Sequence, residues 1–431
     1  MLKRKIISQL IKWKNNPHKR ALLVKGARQV GKTYSILQFA KENYDYCVYI
    51  NFEETPDYKE IFAGNLDIIT LIKQFTLNIP HVKLEPGKTV IFLDEIQSCP
   101  RARTALKFLS IDGRFDIIAS GSMLGINYKE VPSYPVGYVD YLHMYSLDFE
   151  EFLWANGYGE EAIPTLKEYF DKKEPVPPSI HDNLLQLFRE YIVVGGMPRV
   201  VDAYTNNHDF QEVLNLQRAI IEDYTDDIKK YAEGVEKNKA RACFLSIPQH
   251  LAKDYKKFKY SIVEKGGSAR KYGGSLMWLY DAGIINFCYN LAKPEAPLEG
   301  NAKSDVFKVY MRDTGLLVSM LEDGTQKDII DGNLGIYKGA IYENIIADIL
   351  GKQERKLYYF EYNGQLEVDF IIRWQNIVTA VEVKAATSTK AKSLTSIINN
   401  YGVKQGIKLS ANNLSVNDEV INFPLYMTMF L

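Results

Sequence analysis

Cysteine is scarce in this chain: Cys47, Cys99, Cys243 and Cys288 stand far apart, with no C-x-x-C pair among them. That excludes a zinc knuckle or disulfide framework and indicates a reducing compartment, with the thiols read as buried apolar side chains. An excess of one charge is also missing. Lys plus Arg and Asp plus Glu both total 53, so no global field draws the chain to nucleic acid or an anionic membrane, and any basic surface is local. Long apolar runs are absent as well, none approaching the roughly 18 to 20 residues of a membrane span. The N-terminus starts basic and then apolar, as a signal peptide does, but Lys12, Trp13 and Lys14 interrupt it early. Ile6, Leu10 and Trp13 recur at helical spacing, so an amphipathic helix is expected there. A cytoplasmic protein without membrane contact follows.

What the chain does contain is a complete G-x-x-x-x-G-K-[ST] loop, Gly26-Ala27-Arg28-Gln29-Val30-Gly31-Lys32-Thr33, directly behind the apolar run 21–24. The glycines let successive N–H groups turn into one concavity, Lys32 reaches the β/γ-phosphates, and the Thr33 hydroxyl suits Mg²⁺. A helix expected over 34–44 adds its dipole to the phosphate site. Further on, Val90-Ile91-Phe92-Leu93-Asp94-Glu95 reads as a buried strand ending in two acids, the Walker B form. Asp94 then serves the Mg²⁺ shell, and Glu95 polarises the attacking water. A third strand ends in Ser120-Gly121-Ser122; either Ser120 or Ser122 senses the γ-phosphate, or both cap the next turn. Coupling of the two motifs points to an ATPase-type enzyme, with Lys32 and Glu95 catalytic.

Short apolar strands at 21–25, 47–52, 90–93, 115–120 and 138–144 alternate with helical stretches, the pattern of a parallel sheet covered on both faces. The fold class is α/β throughout. A P-loop NTPase domain is expected over 1–160, a helical lid or bridging region over 161–235, a winged helix-turn-helix over 236–330, and an α/β restriction-endonuclease-like domain over 331–431. Pro175-Val176-Pro177-Pro178 reads as a linker, and strands at 284–290 and 306–311 as the wing.

The order GARQVGKT, FLDEIQ, ASGSMLG, then Leu147-Asp148-Phe149-Glu150-Glu151-Phe152-Leu153 and Gly195-Gly196-Met197-Pro198 resembles a widespread prokaryotic family of AAA-type ATPases with an uncharacterised C-terminal region. Walker motifs occur in many families; the last two segments narrow the likeness, which covers nearly the whole chain. It implies an additional-strand ATPase fold, ATP rather than GTP with Mg²⁺, and a winged helix.

Glu343 lies in a helical stretch, Glu367-Val368-Asp369 opens a strand, and Glu382-Val383-Lys384 closes the next. Residues two apart share a strand face, and the set resembles the PD-(D/E)xK nuclease core. There Asp369 and Glu382 would bind Mg²⁺, Glu343 would complete the shell, and Lys384 would stabilise the charge of the reacting phosphate. The alternative is a face of ion pairs in a fold kept for binding. Between 253 and 271, Lys253, Lys256, Lys257, Lys259, Lys265, Arg270 and Lys271 outnumber the two acids, with tyrosines interleaved. Such a run contacts phosphates and places Arg270 in a major groove, although winged helices also bind proteins. Three functions remain open: an ATPase acting on DNA or on a partner protein, an ATP-regulated metal-dependent DNA nuclease, and a nucleotide-switched interaction module. Oligomerisation is compatible with each.

Overall fold

A computed structural model describes residues 2–122, 137–231, 236–253, 256–332, 338–384, 392–417 and 420–431. The chain divides into two compact units, Arg4–Ser146 and, apart from the first three residues, Leu147–Leu431.

In the first unit, α1 (Ile6–Lys14), β1 (Ala21–Gly26), α2 (Lys32–Asn43), β2 (Tyr46–Asn51), α3 (Ile68–Asn78), β3 (Thr89–Asp94), α4 (Pro100–Asp112), β4 (Asp116–Ser122) and β5 (Val139–His143) follow one another. The strands form one parallel sheet in the order β2-β3-β4-β1-β5. β4 therefore stands between the phosphate-loop strand and the strand of Asp94, the additional-strand arrangement that the resemblance implies. Period-2 alternation sends Leu23, Ile91, Leu93 and Ile117 to one face, with Leu71, Phe75 and Leu106 from α3 and α4. Leu22, Val24, Phe92 and Ile118 face the other way, onto Ile36 and Phe39 of α2. Ile6, Leu10 and Trp13 of α1 bury there too, so the N-terminal stretch is the amphipathic helix its spacing predicts.

The second unit opens with α5 (Phe149–Ala155), α6 (Ala162–Lys172), α7 (Pro178–Val194), α8 (Pro198–Asn207), α9 (Phe210–Tyr231), α10 (Glu236–Leu251), α11 (Tyr260–Val263) and α12 (Ala269–Asp281). β6 (Ile285–Leu291), β7 (Ala302–Met311), α13 (Thr314–Ser319), α14 (Thr325–Ile330), α15 (Lys338–Lys352), β8 (Leu357–Tyr362) and β9 (Leu366–Val368) come next. The chain ends through β10 (Phe370–Trp374), β11 (Ile377–Val383), α16 (Lys392–Tyr401), β12 (Gln405–Ser410), β13 (Ser415–Asn417) and β14 (Val420–Pro424). Its sheets run β7-β6-β8-β9 and β10-β11-β12-β14-β13.

Several features add to or depart from the sequence expectations, among them Cys47, which is exposed where a buried thiol was expected. Beside the expected domain bound near 160, the first compact unit ends at Ser146; Asp148 then begins a new helix with a reciprocal capping box, in which Glu151 N–H donates to Asp148 Oδ1 (2.9 Å) and Asp148 N–H to Glu151 Oε2 (3.2 Å). The 284–290 and 306–311 strands do pair as an antiparallel hairpin, but β6 also pairs in parallel with β8, so the hairpin belongs to a sheet that crosses the expected boundary at 331. Finally, Val176 is buried and exchanges two hydrogen bonds with Asn413 (3.1 and 2.6 Å), so the proline segment is fastened rather than a loose linker.

Candidate nucleotide site and C-terminal carboxylate face

The parallel register brings Gly26, Asn51, Asp94 and Ser120 to the carboxyl ends of neighbouring strands, where open α/β sheets hold their ligands. The loop between β1 and α2 turns on two left-handed residues, Gln29 (φ 64°) and Gly31 (φ 92°). Such residues aim consecutive N–H groups into an anion nest. Gly31 also makes the turn directly into the first residue of α2.

Lys32 is only 6% exposed. Its ammonium donates to the carbonyls of Gly26 (3.1 Å) and Ala27 (2.8 Å) within the loop itself. Burial pulls its pKa down to about 8, opposed by Glu95 and Asp94 and assisted by Arg28. An anion in the nest favours the charged ammonium, so above that pH nucleotide uptake must bring a proton with it. The ATP dissociation constant is therefore expected to stay level below pH 8 and to rise up to about tenfold per unit above it. Calorimetric titration in buffers of different ionisation heat reads this proton directly, and a constant that stays level far into the alkaline range refutes it.

Asp94 is the hub of the acidic side. Thr33 donates to its Oδ2 (2.7 Å), Tyr49 to the same oxygen at 3.4 Å, and Ser120 to Oδ1. Burial and the Asp94 charge, among other causes, push the Tyr49 phenol up to about 12, so it stays a donor. Glu95 leaves the strand in a left-handed conformation (φ 51°), and the Gln97 amide donates to its Oε2 at 2.5 Å. Tyr49 and Gln97 were not foreseen. FLDEIQ includes Gln97, but only the turn at Glu95 brings its amide back onto the carboxylate. The Ser122 side chain lies outside the described residues, whereas Ser120 sits on Asp94. Among the arginines, Arg101 is engaged by the carbonyls of Phe62 and Gly64, and Arg114 by Asp112.

This geometry agrees with the similarity of residues 18–153 to a family described as an AAA domain. Residues 18–153 carry an AAA-type ATPase domain. Residues 185–327 and 338–426 match two further families, each described as a domain of unknown function (DUF8612 and DUF4143). Among solved structures, the Walker-type ATPase paby2304 of Pyrococcus abyssi is similar at 14% identity over 74% of this chain and 96% of its own, with a TM-score of 0.44. The Aeropyrum pernix ORC1 protein in complex with DNA follows at 12%, 75%, 93% and 0.32. AMPPCP-bound DnaA from Aquifex aeolicus gives 11%, 64%, 86% and 0.27. No curated protein sequence matches.

In the second unit, Glu343 of α15 is buried and receives Lys256 on Oε1 and the Tyr310 hydroxyl on Oε2 at 3.0 Å. Lys308, fully buried, lies 3.5 Å from Glu343 Oε2 and 2.6 Å from Glu367 Oε1. Burial works against ionisation of Glu343, yet Lys308 and Lys256 hold its carboxyl below the ordinary range. Asp369 accepts the Val383 N–H at 2.7 Å; burial, then the Glu343 charge, raises it. Glu382 pairs with Lys384 at 2.6 Å through Oε1, while its Oε2 is buried without a hydrogen-bond partner. Among the described residues no three His, Cys, Asp or Glu side chains are arranged to hold a metal ion. The expected set of Glu343, Asp369, Glu382 and Lys384 thus shares one electrostatic neighbourhood, but Lys308, which the sequence did not nominate, and Lys256, expected to contact phosphates, pair with Glu343 there.

The basic run is partly spent in the same way. Lys256, Lys257 and Lys271 pair with Glu343, Glu361 and Glu264, while Lys253, Lys259, Lys265 and Arg270 are exposed. Among the described residues no helix is long and apolar enough to cross a membrane.

Proposed function

We propose that this protein binds ATP with Mg²⁺ and hydrolyses it, and that turnover responds to nucleic acid held by the cations around α11 and α12. The observation that supports the first half is the 2.7 Å contact between Thr33 and Asp94 beside a nest that Lys32 closes. A hydroxyl and a carboxylate are hard oxygen donors suited to Mg²⁺, which when bound would neutralise charge on the β- and γ-phosphate oxygens. Lys32 then exchanges its loop carbonyls for phosphate. Glu95 orients the attacking water, and Gln97 holds the carboxylate that does so. Ser120 and Tyr49 fix the orientation of the Asp94 carboxylate by donating to it.

Phosphate release from ATP tests this: activity is expected with Mg²⁺, is lost on adding EDTA, and exceeds that with GTP. The exposed Lys253, Lys259, Lys265 and Arg270 support the second half. Duplex or single-stranded DNA or RNA is expected to stimulate turnover, with binding that falls with salt at a log–log slope of roughly −3 to −4, the value for about four phosphate contacts. Replacing Lys265 and Arg270 by alanine should reduce that slope by about two. A rate indifferent to all these polymers, with a protein partner altering it instead, would transfer the coupling to the interaction-module reading.

A further inference from the structure

The nuclease-like face does not fit the metal that its resemblance implies. Lys308 is carried by β7 into the middle of the carboxylates, and its neighbour across an antiparallel bridge is Lys257. Phe258 N–H donates to the Phe307 carbonyl at 2.8 Å, and the Phe258 ring stacks on Phe307 and on His250. This short ladder fixes residues 256–258 beside β7 and so delivers a second ammonium, that of Lys256, to the other carboxylate oxygen of Glu343. Together the two ammonium groups carry the charge of one divalent ion. They reach Glu343 and Glu367 directly and Asp369 electrostatically. A metal entering here would have to displace a buried lysine from the carboxylates it pairs with, and an ammonium left buried without partners is strongly unfavourable.

We propose that this face is a metal-independent ion lock: Lys308 and Lys256 neutralise Glu343, the carboxylate that would complete a nuclease's metal shell, and fasten residues 256–258 and β7 to α15 and β9. The face holds the α10–α12 region against the C-terminal sheets and does not cut phosphodiesters. Lys256 belongs to the same basic run that supplies the exposed cations, so the lock also sets where those cations are presented.

The full-length protein and its Asp369→Asn variant, both without nucleotide, should show the same Mn²⁺ occupancy by electron paramagnetic resonance and no nicking of supercoiled plasmid. Mn²⁺ binding or nicking that disappears in Asp369→Asn overturns the lock. A second measurement does not depend on metal chemistry. Lys308→Met should lower Tm by roughly 5–15 °C, since it strands buried carboxylates, and the added Glu343→Gln should recover part of that loss. The wild-type Tm should not respond to EDTA or millimolar Mn²⁺, whereas that of Lys308→Met should rise with Mn²⁺. Strictly additive losses for Lys308→Met and Glu343→Gln, or a wild-type Tm raised by Mn²⁺ through Asp369, would refute it. If Lys308→Met does not fold, the wild-type and Asp369→Asn comparison still decides.

Discussion

Glu95→Gln is expected to lower kcat for ATP by about 10²- to 10⁴-fold while leaving nucleotide affinity within a few-fold of wild type. The amide keeps the length of the side chain and can still accept from Gln97, so the 2.5 Å contact and the left-handed turn at position 95 survive. What is lost is the negative charge that, in the proposed function, draws a proton from water. Nothing that holds the phosphates is touched, because the nest, Lys32 and the Thr33–Asp94 contact lie on other residues. Lys32→Ala should separate from it in the opposite sense, losing affinity first. Rapid-quench turnover beside equilibrium binding of a fluorescent nucleotide distinguishes the two. Equal turnover in Glu95→Gln and wild type would remove Glu95 from the reaction and return the water-positioning role to another group.

The nucleotide unit was legible because its information is local. Eight consecutive residues make the phosphate loop, six make the strand of Asp94, and a parallel sheet follows from the alternation of strand and helix. The second unit resisted because its decisive contacts join distant positions. Glu343 meets Lys308 across 35 positions and Lys256 across 87, and nothing in a basic run indicates which lysines will fold inward. The hairpin of β6 and β7 was foreseen, but its parallel partner β8 lies beyond a stretch that composition alone marks as a boundary. The carboxylates were read either as metal ligands or as a face of ion pairs, and burial among lysines supports the second.

The segments DFEEFL and GGMP were recognisable as signatures without a visible reason, and the structure supplies one: they meet. The Leu147 N–H donates to the Gly196 carbonyl at 2.7 Å, one residue before the capping box of α5. A Cβ on Gly196 would lie 2.0 Å from the Leu147 carbonyl oxygen and 2.7 Å from its nitrogen, so only glycine admits this approach. That oxygen already accepts from the Tyr191 hydroxyl (2.8 Å) and Lys352 (3.1 Å), and the Gly196 N–H donates to Asp313 (2.9 Å), which also caps α13 through Leu316. Leu147, Tyr191, Gly196 and Asp313 are buried, so backbone displaced by a methyl group cannot replace its bonds with water. Gly196→Ala is therefore expected to cost about 3–5 kcal/mol, overpacking and broken buried hydrogen bonds acting together. At this size that is a Tm loss of roughly 10 °C. Gly274→Ala is the control: nothing lies within 4 Å of its added Cβ, and within α12 it should be neutral or stabilise by up to about 1 kcal/mol. Denaturant midpoints for the two variants decide the matter. If Gly196→Ala melts with wild type, the joint between the two signatures does not hold this part of the chain together, and their pairing has to be explained by function instead.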